Sequence, residues 1–266
     1  MPDNVSPLAI TRDGPVVTLT LQRPEIHNAF DDRLIAMLQE TFDTLATDDS
    51  ARVVVLAAQG PSFSAGADLN WMRRAAAYTE EENRRDALAL ATLLRTAATL
   101  PHPLVARVQG AALGGGMGLV AVADIALAVE SARFGFTEAR LGLIPATISP
   151  HIVEKIGSSH ARALFLTAER IPAARALEIG LVHRVVLDDE LDSALAETID
   201  ALLAGGPKAH GLAKELVRTV LATEGQEQDN ATAALIAVAR VSPEGREGIQ
   251  AFLDKRSPSW RASQDR

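Results

Sequence analysis

Two glycine-containing segments and one glutamate have the residue types and spacing that could carry out chemistry. The segments "SFSAGADL" (62–69) and "LGGGMG" (113–118) each follow an apolar run and lead into a helix-like run. The first N–H groups of a helix have no intrahelical acceptor, so both segments can present free backbone donors. Two donors aimed at one oxygen would stabilise an oxyanion, but the same residues also suit two tight strand-to-helix turns. The spacing alone leaves both interpretations open.

Glu138 is the candidate proton carrier. It lies within "FGFTEARLGLIPATISP" (134–150), with Phe136 and Leu141 nearby. A carboxyl group in apolar surroundings has a raised pKa and can exchange protons near neutral pH. The alternatives are a solvent-facing glutamate and one that pairs with Arg140.

The elements that must position these residues follow from the hydrophobic pattern. Residues 15–22 alternate with the two-residue period of a strand, and continuous apolar runs predict buried strands. Asp31 can cap a helix whose apolar residues fall on one face. The remaining predicted strands and the long helix lie at 51–58, 103–110, 125–130, 132–136 and 80–99. The sequence therefore predicts an α/β fold up to about residue 187, followed by a helical region.

The composition excludes several classes of site. The 266 residues are 47% hydrophobic, carry a formal net charge of −8 and include no cysteine. Disulfides, thiolate metal sites and a cysteine nucleophile are thereby excluded, and the negative charge disfavours a general nucleic-acid binder. The start "MPDNVSPLAI" does not look like a signal peptide, and no apolar run is long enough to span a membrane. We expect a cytoplasmic enzyme.

A dinucleotide-binding loop is the alternative use of the second glycine segment. Gly114, Gly116 and Gly118 do not follow the G-x-G-x-x-G order, and about a hundred residues of other structure precede them. The spacing disfavours a nucleotide site.

Six motifs in sequence order resemble the crotonase superfamily of enoyl-CoA hydratases and isomerases. They are "LQRPEIHNAF", "FSAGADLNWM", "QGAALGGGMGL", "FGFTEARLGLIP", "LTAERIPAARALEIGLVHRVV" and "EGREGIQAFLDKRSPSW". The resemblance implies a spiral of repeated ββα units over 1–187 that holds an acyl-CoA site. It also implies a helical region over 188–266 that assembles trimers or hexamers.

The resemblance assigns roles by position. The amides of Ala67 and Gly115 would hold the thioester oxygen, and Glu138 would act as acid and base. Coenzyme A would enter as part of the substrate, without a metal or redox cofactor. Glu25 stands where many relatives carry a lysine or arginine. The coenzyme would contact Arg23, Ile26, Ser64, Ala65, Asp68 and Leu69, and Phe252 and Lys255 would reach the coenzyme of a neighbouring subunit.

The sequence departs from the family pattern at Gly118, where many hydratases carry the first of two glutamates. In one account Glu138 alone hydrates a 2-enoyl-CoA; in a second the enzyme is a double-bond isomerase. In a third the chain binds acyl-CoA, or RNA, without catalysis. Glycine at this position is also hypothesised to make room for a branched acyl chain.

The segment "GLIPATISPHIV" resembles the corresponding segment in a bacterial branch of hydratases that act on methylglutaconyl-CoA and isohexenylglutaconyl-CoA. Hydratases of that branch also lack the first glutamate. A carboxylated substrate would need polar contacts near its acyl end. The predicted substrate pocket comprises Gly118, Trp71, Thr147 and His151, with Ser149 and Arg140 as further candidates. Histidine 151 can equally be a surface residue at a helix start. The predicted function is hydration of a branched or carboxylated 2-enoyl-CoA.

Overall fold

The computed structural model describes residues 6–262 and contains two β-sheets. Their ten strands are β1 (Leu8–Asp13), β2 (Val16–Leu21), β3 (Val53–Ala58), β4 (Ser62–Ser64), β5 (Leu104–Val108), β6 (Ala111–Leu113), β7 (Ile125–Val129), β8 (Arg133–Gly135), β9 (Arg170–Pro172) and β10 (Arg184–Val186).

Eleven α-helices accompany these strands in the described part of the chain. They are α1 (Asp32–Leu45), α2 (Leu69–Ala75), α3 (Glu80–Ala98), α4 (Gly115–Val122), α5 (Ser149–Thr167), α6 (Ala173–Glu178), α7 (Leu191–Ala204), α8 (Pro207–Ala222), α9 (Gly225–Val241), α10 (Pro243–Leu253) and α11 (Ser259–Ala262). Within residues 6–262, none of these helices combines the length and apolar character needed to cross a bilayer.

The chain winds as a spiral in which each turn adds one strand to each sheet. The large sheet has the order β1-β2-β3-β5-β7-β10, and the small sheet has the order β4-β6-β8-β9. The pairs β3–β4, β5–β6 and β7–β8 form the three successive turns, and neighbouring turns pair in parallel. A helix follows each pair. The segments between small-sheet strands and helices therefore stack beside one another.

Burial explains why the main strands and helices form where the sequence predicts them. All six residues of β3 are buried, as expected for a central parallel strand covered on both faces. The side chain of Asp31 caps α1 by accepting a hydrogen bond from the Leu34 amide at 2.8 Å. Leu38 and Phe42 continue the buried face of that helix. The predicted α/β class is confirmed.

The region after β10 is helical, as predicted. Helix α7 packs into the core of the sheets through Leu191, Ala194 and Leu203. The following helices α8, α9 and α10 carry exposed apolar side chains, including Val217, Leu221, Val238, Val241, Ile249 and Leu253. A separate domain beginning at residue 188 stays a prediction.

Candidate active site

The segment 62–69 is held so that one of its backbone amides points away from the adjacent segment around Phe30. The amide of Phe30 donates to the Gly66 carbonyl at 2.6 Å, and the amide of Asp68 donates to the Phe30 carbonyl at 2.7 Å. These two bonds form a parallel bridge between Phe30 and Ala67. In such a bridge the N–H of the residue between the two bonded positions points to the opposite side. The Ala67 amide is therefore directed away from Phe30.

The glycine segment 113–118 brings a helix start against this bridge. Gly114 precedes α4 with a φ of 50°, which glycine adopts without steric cost. Gly115 is the first residue of α4, so its amide has no intrahelical acceptor. A Cβ atom added to Gly66 would lie 2.9 Å from the Leu113 carbonyl oxygen and 3.3 Å from the Gly115 nitrogen. The two segments thus meet backbone to backbone.

The carboxyl group of Glu138 lies against the same glycine segment. Glu138 begins a short 3-10 turn that ends at Leu141, and a Cβ atom on Gly114 would be 3.4 Å from Glu138 Oε1. The Oε2 atom is buried and has no hydrogen-bond partner among residues 6–262. Burial raises the pKa of Glu138, and its own backbone amide only partly opposes this effect. The ion pairs within that part of the chain do not join Glu138 to Arg140, which is exposed.

The buried charge of Glu138 predicts a pH-dependent stability difference in a Glu138→Gln variant. Because the folded-state pKa is raised, the stability that neutral Glu138 provides is lost as the pH rises through that pKa. At pH 7 to 8 we expect the variant to melt at a higher temperature than the wild type, and the difference to vanish below the ordinary glutamate pKa. Thermal melts from pH 8 down to below the ordinary glutamate pKa test this expectation. The variant Glu130→Gln, at an exposed glutamate, is the charge-matched control. A variant less stable than the wild type at neutral pH would contradict the expectation.

The volume beside Gly118 is filled by protein. A Cβ atom at this position would lie 2.6 Å from Ile148 Cγ2 and 3.2 Å from Leu94 Cδ1. Both neighbouring side chains are buried. The hypothesis that Gly118 makes room for a branched acyl chain is therefore wrong in this structure, because two side chains already occupy that room.

A cleft of about 590 Å³ lies between the loop 25–29 and the segment 65–73, which includes Ala67 and the first residues of α2. Four of the residues predicted to contact the coenzyme line it, namely Ile26, Ala65, Asp68 and Leu69. The sequence interpretation missed Asn70 and Arg73, which also line the cleft. Arg73 lies four residues after Leu69 on the same helix, so helical spacing was the signal that could have found it.

Arg23 and Asp68 join the two loops that border the cleft. The Arg23 guanidinium forms ion pairs with Asp31 at 2.8 Å and Asp68 at 3.1 Å. Burial by itself would raise the pKa of Asp68. The amides of Trp71 and Asn70 and the Arg23 guanidinium outweigh that effect, so the pKa is lowered. These ion pairs give Arg23 a positioning role, and its predicted contact with the coenzyme stays a prediction.

Ser64 also differs from its predicted role at the coenzyme. Its side chain is fully buried, its hydroxyl donates to the Asn28 carbonyl at 2.9 Å, and it accepts from the Gly66 amide at 3.2 Å. The hydroxyl group therefore holds the segment 62–69 from its buried side and does not reach the cleft.

The residues predicted to form a substrate pocket have different surroundings in the structure. Trp71 is buried in the core, where its indole N–H donates to Asp86 on α3 at 3.2 Å. His151 lines a separate cavity of about 450 Å³ at the opposite end of α4, together with Lys155. Thr147 is half-buried in the turn before α5. A single pocket formed by Gly118, Trp71, Thr147 and His151 stays a prediction.

Phe252 and Lys255 lie at the end of α10 and do not line the cleft of their own chain. Phe252 is 82% exposed, and Lys255 is exposed as well. Their predicted contact with the coenzyme of a neighbouring subunit stays a prediction.

Comparison with known proteins identifies the family to which this geometry belongs. Residues 11–263 match the family model described as enoyl-CoA hydratase/isomerase. The chain belongs to the enoyl-CoA hydratase/isomerase family.

Similar proteins support both the fold and the family. The crystal structure of an enoyl-CoA hydratase from Shewanella pealeana superimposes with a TM-score of 0.93 at 41% identity, covering 97% of each chain. This likeness confirms the crotonase fold. The 2,3-dehydroadipyl-CoA hydratase of Escherichia coli K12 is 32% identical over 97% of this chain and 99% of its own length. The 1,2-epoxyphenylacetyl-CoA isomerase of the same bacterium is also 32% identical, over 92% of this chain and 94% of its own. This chain is an enzyme of a family that contains hydratases and isomerases.

Proposed function

We propose that the enzyme adds water reversibly to a 2-enoyl-CoA, with Glu138 as the acid and base. The observation that carries this proposal is the Glu138 carboxyl group against the glycine segment 113–118, with its Oε2 atom buried and without a hydrogen-bond partner among the described residues. A desolvated carboxyl group exchanges protons near neutral pH more readily than an exposed one. The two backbone amides beside it supply a place for a thioester oxygen.

The proposed reaction balances with one carboxylate. The Glu138 carboxylate takes a proton from water while the water oxygen bonds to the β carbon of the substrate. The C=C electrons move toward the thioester carbonyl, whose oxygen becomes negative and accepts hydrogen bonds from the Ala67 and Gly115 amides. Neutral Glu138 then gives the proton to the α carbon, which restores the carbonyl and the starting carboxylate.

Coenzyme A enters this proposal as part of the substrate, and the cleft beyond Ala67 is its proposed path. Ile26 and Leu69 offer apolar surface for the pantetheine arm. Arg73 is exposed in the cleft and hydrogen-bonds to the neutral Asn70 side chain at 3.0 Å. Its guanidinium is therefore the proposed contact for the coenzyme phosphates. Asp68 faces the same cleft and is ion-paired with Arg23.

The finer substrate proposal is a branched or carboxylated 2-enoyl-CoA of the glutaconyl type. It rests on the resemblance of the segment around 142–153 to hydratases of that branch. The exposed apolar faces of α8, α9 and α10 support the further proposal that the chain assembles as a trimer or hexamer.

A double-bond isomerase is the second candidate function, and Gly118 favours it. Moving one proton between the α and γ carbons requires one carboxyl group, and position 118 offers no second one. A non-catalytic acyl-CoA or RNA binder is the third candidate. The net charge of −8 disfavours RNA, whose phosphates require cationic surfaces.

The deciding experiment follows conjugated-thioester absorbance with linear, branched and carboxylated 2-enoyl-CoAs and with the matching 3-enoyl-CoAs. We expect absorbance to fall with a 2-enoyl substrate and the product mass to increase by one water. A rise with a 3-enoyl substrate at constant mass would instead establish the isomerase. No turnover together with salt-sensitive RNA binding would support the third candidate.

A further inference from the structure

The start of α4 meets two side chains from the segment 138–148. Gly114 directly precedes the helix, and Gly118 is its fourth residue. A Cβ atom at position 114 would lie 3.4 Å from Glu138 Oε1, and one at position 118 would lie 2.6 Å from Ile148 Cγ2. The segment 138–148 thus places an acid before the helix start and a methyl group beside the fourth residue of the helix.

The Ile148 side chain is fixed in this place. It is 1% exposed, and Leu94, which touches the same position from α3, is 0% exposed. The Ile148 carbonyl accepts the Ile152 amide at 3.1 Å, which ties the residue to the first turn of α5. Real Cβ atoms essentially never approach another atom as closely as 2.6 Å, so a side chain at position 118 requires the buried Ile148 methyl group to shift.

We propose that Ile148 is a specificity-determining residue that limits the site to one proton-transfer group. Its γ-methyl group occupies the space that an acid–base side chain from position 118 would need. Together with Leu94 it forms an apolar wall beside position 118. This inference rests on the proposed function for its chemical meaning.

A mutant cycle measured by thermal unfolding tests the contact between position 118 and Ile148 without an activity assay. We expect Gly118→Ala to lower the melting temperature in the wild-type background but to have a much smaller effect in an Ile148→Ala background. Valine retains both γ carbons, so an Ile148→Val background should leave the effect undiminished. Ile152→Ala, which truncates a buried isoleucine in the first turn of α5, is the matched control and should not relieve it. Equal effects of Gly118→Ala in all four backgrounds would overturn the proposal.

A second arm tests the chemical consequence. In an Ile148→Ala background, adding Gly118→Glu should raise the rate of water addition relative to double-bond migration by about tenfold or more, because a second acid–base group becomes available. In an Ile148→Val background the same change should give no gain. A gain from Gly118→Glu alone, or none in the Ile148→Ala background, would overturn the proposal. Wild-type enzyme that hydrates no 2-enoyl-CoA would instead refute the proposed function, while the unfolding cycle would still report on the wall.

Discussion

A Glu138→Gln variant is expected to lose turnover by a factor of about 10² to 10⁴, the usual contribution of a positioned acid–base group. Glutamine has nearly the same shape but cannot take a proton from water or return one to carbon. The Glu138 carboxyl group lies against the glycine segment. It does not line the cleft that is the proposed path of the coenzyme. We therefore expect the loss in kcat, with the dissociation constant of a CoA thioester close to that of the wild type.

Steady-state kinetics and calorimetric titration with a non-hydrolysable thioester analogue measure the two quantities separately. The exposed Glu130→Gln variant controls for loss of one negative charge. Turnover near the wild-type level in Glu138→Gln would remove Glu138 from the mechanism. Equal losses of turnover and binding would mean that the carboxyl group shapes the site without transferring a proton.

A Gly115→Pro variant is expected to lose turnover by a factor of about 10² to 10³, the usual effect of removing one oxyanion donor. Proline has no backbone N–H, and the first position of a helix tolerates its fixed φ. A Cβ atom at this position would lie 3.2 Å from the Phe30 ring. Side-chain crowding must therefore be separated from loss of the amide.

Gly115→Ala makes this separation, because alanine adds the same Cβ atom and keeps the N–H. We expect Gly115→Ala to retain most of the activity in the absorbance assay, while Gly115→Pro does not. Thermal melts show whether each variant is folded. If the two variants lose activity equally, crowding against Phe30 explains the loss and the Gly115 amide is not a required donor.

The hydrophobic pattern was sufficient to predict four of the six strands of the large sheet, namely β2, β3, β5 and β7, but not its edge strands β1 and β10. The buried run of β3 and the Asp31-capped face of α1 depend on local sequence, and both form as predicted. The strands β4 and β6 were assigned to loops. They have three residues each, so they show no usable period, and they exist because β4 pairs with β6 and β6 pairs with β8 across the spiral.

The site could be predicted only where backbone geometry or motif order determines it. The resemblance located the segments around Ala67, Gly115 and Glu138, which the fold brings together. It did not reveal that Arg23 is ion-paired with two aspartates, because one of these partners lies 45 residues away in sequence. Nor did it reveal that Ile148 contacts Gly118. The two residues lie on different elements, and no periodic pattern in the sequence links them.

The backbone contact between Gly66 and the Gly115 segment bears on how such an enzyme can change during evolution. Both proposed oxyanion donors are main-chain amides, so substitutions of other side chains leave their chemistry intact. The surrounding positions, including 118, 138 and 148, can therefore vary in acid–base character while enolate stabilisation is inherited unchanged. The glycines are the constrained part of the sequence, because a side chain at Gly66 would push the two segments apart. New reactions would then arise beside this contact more readily than within it.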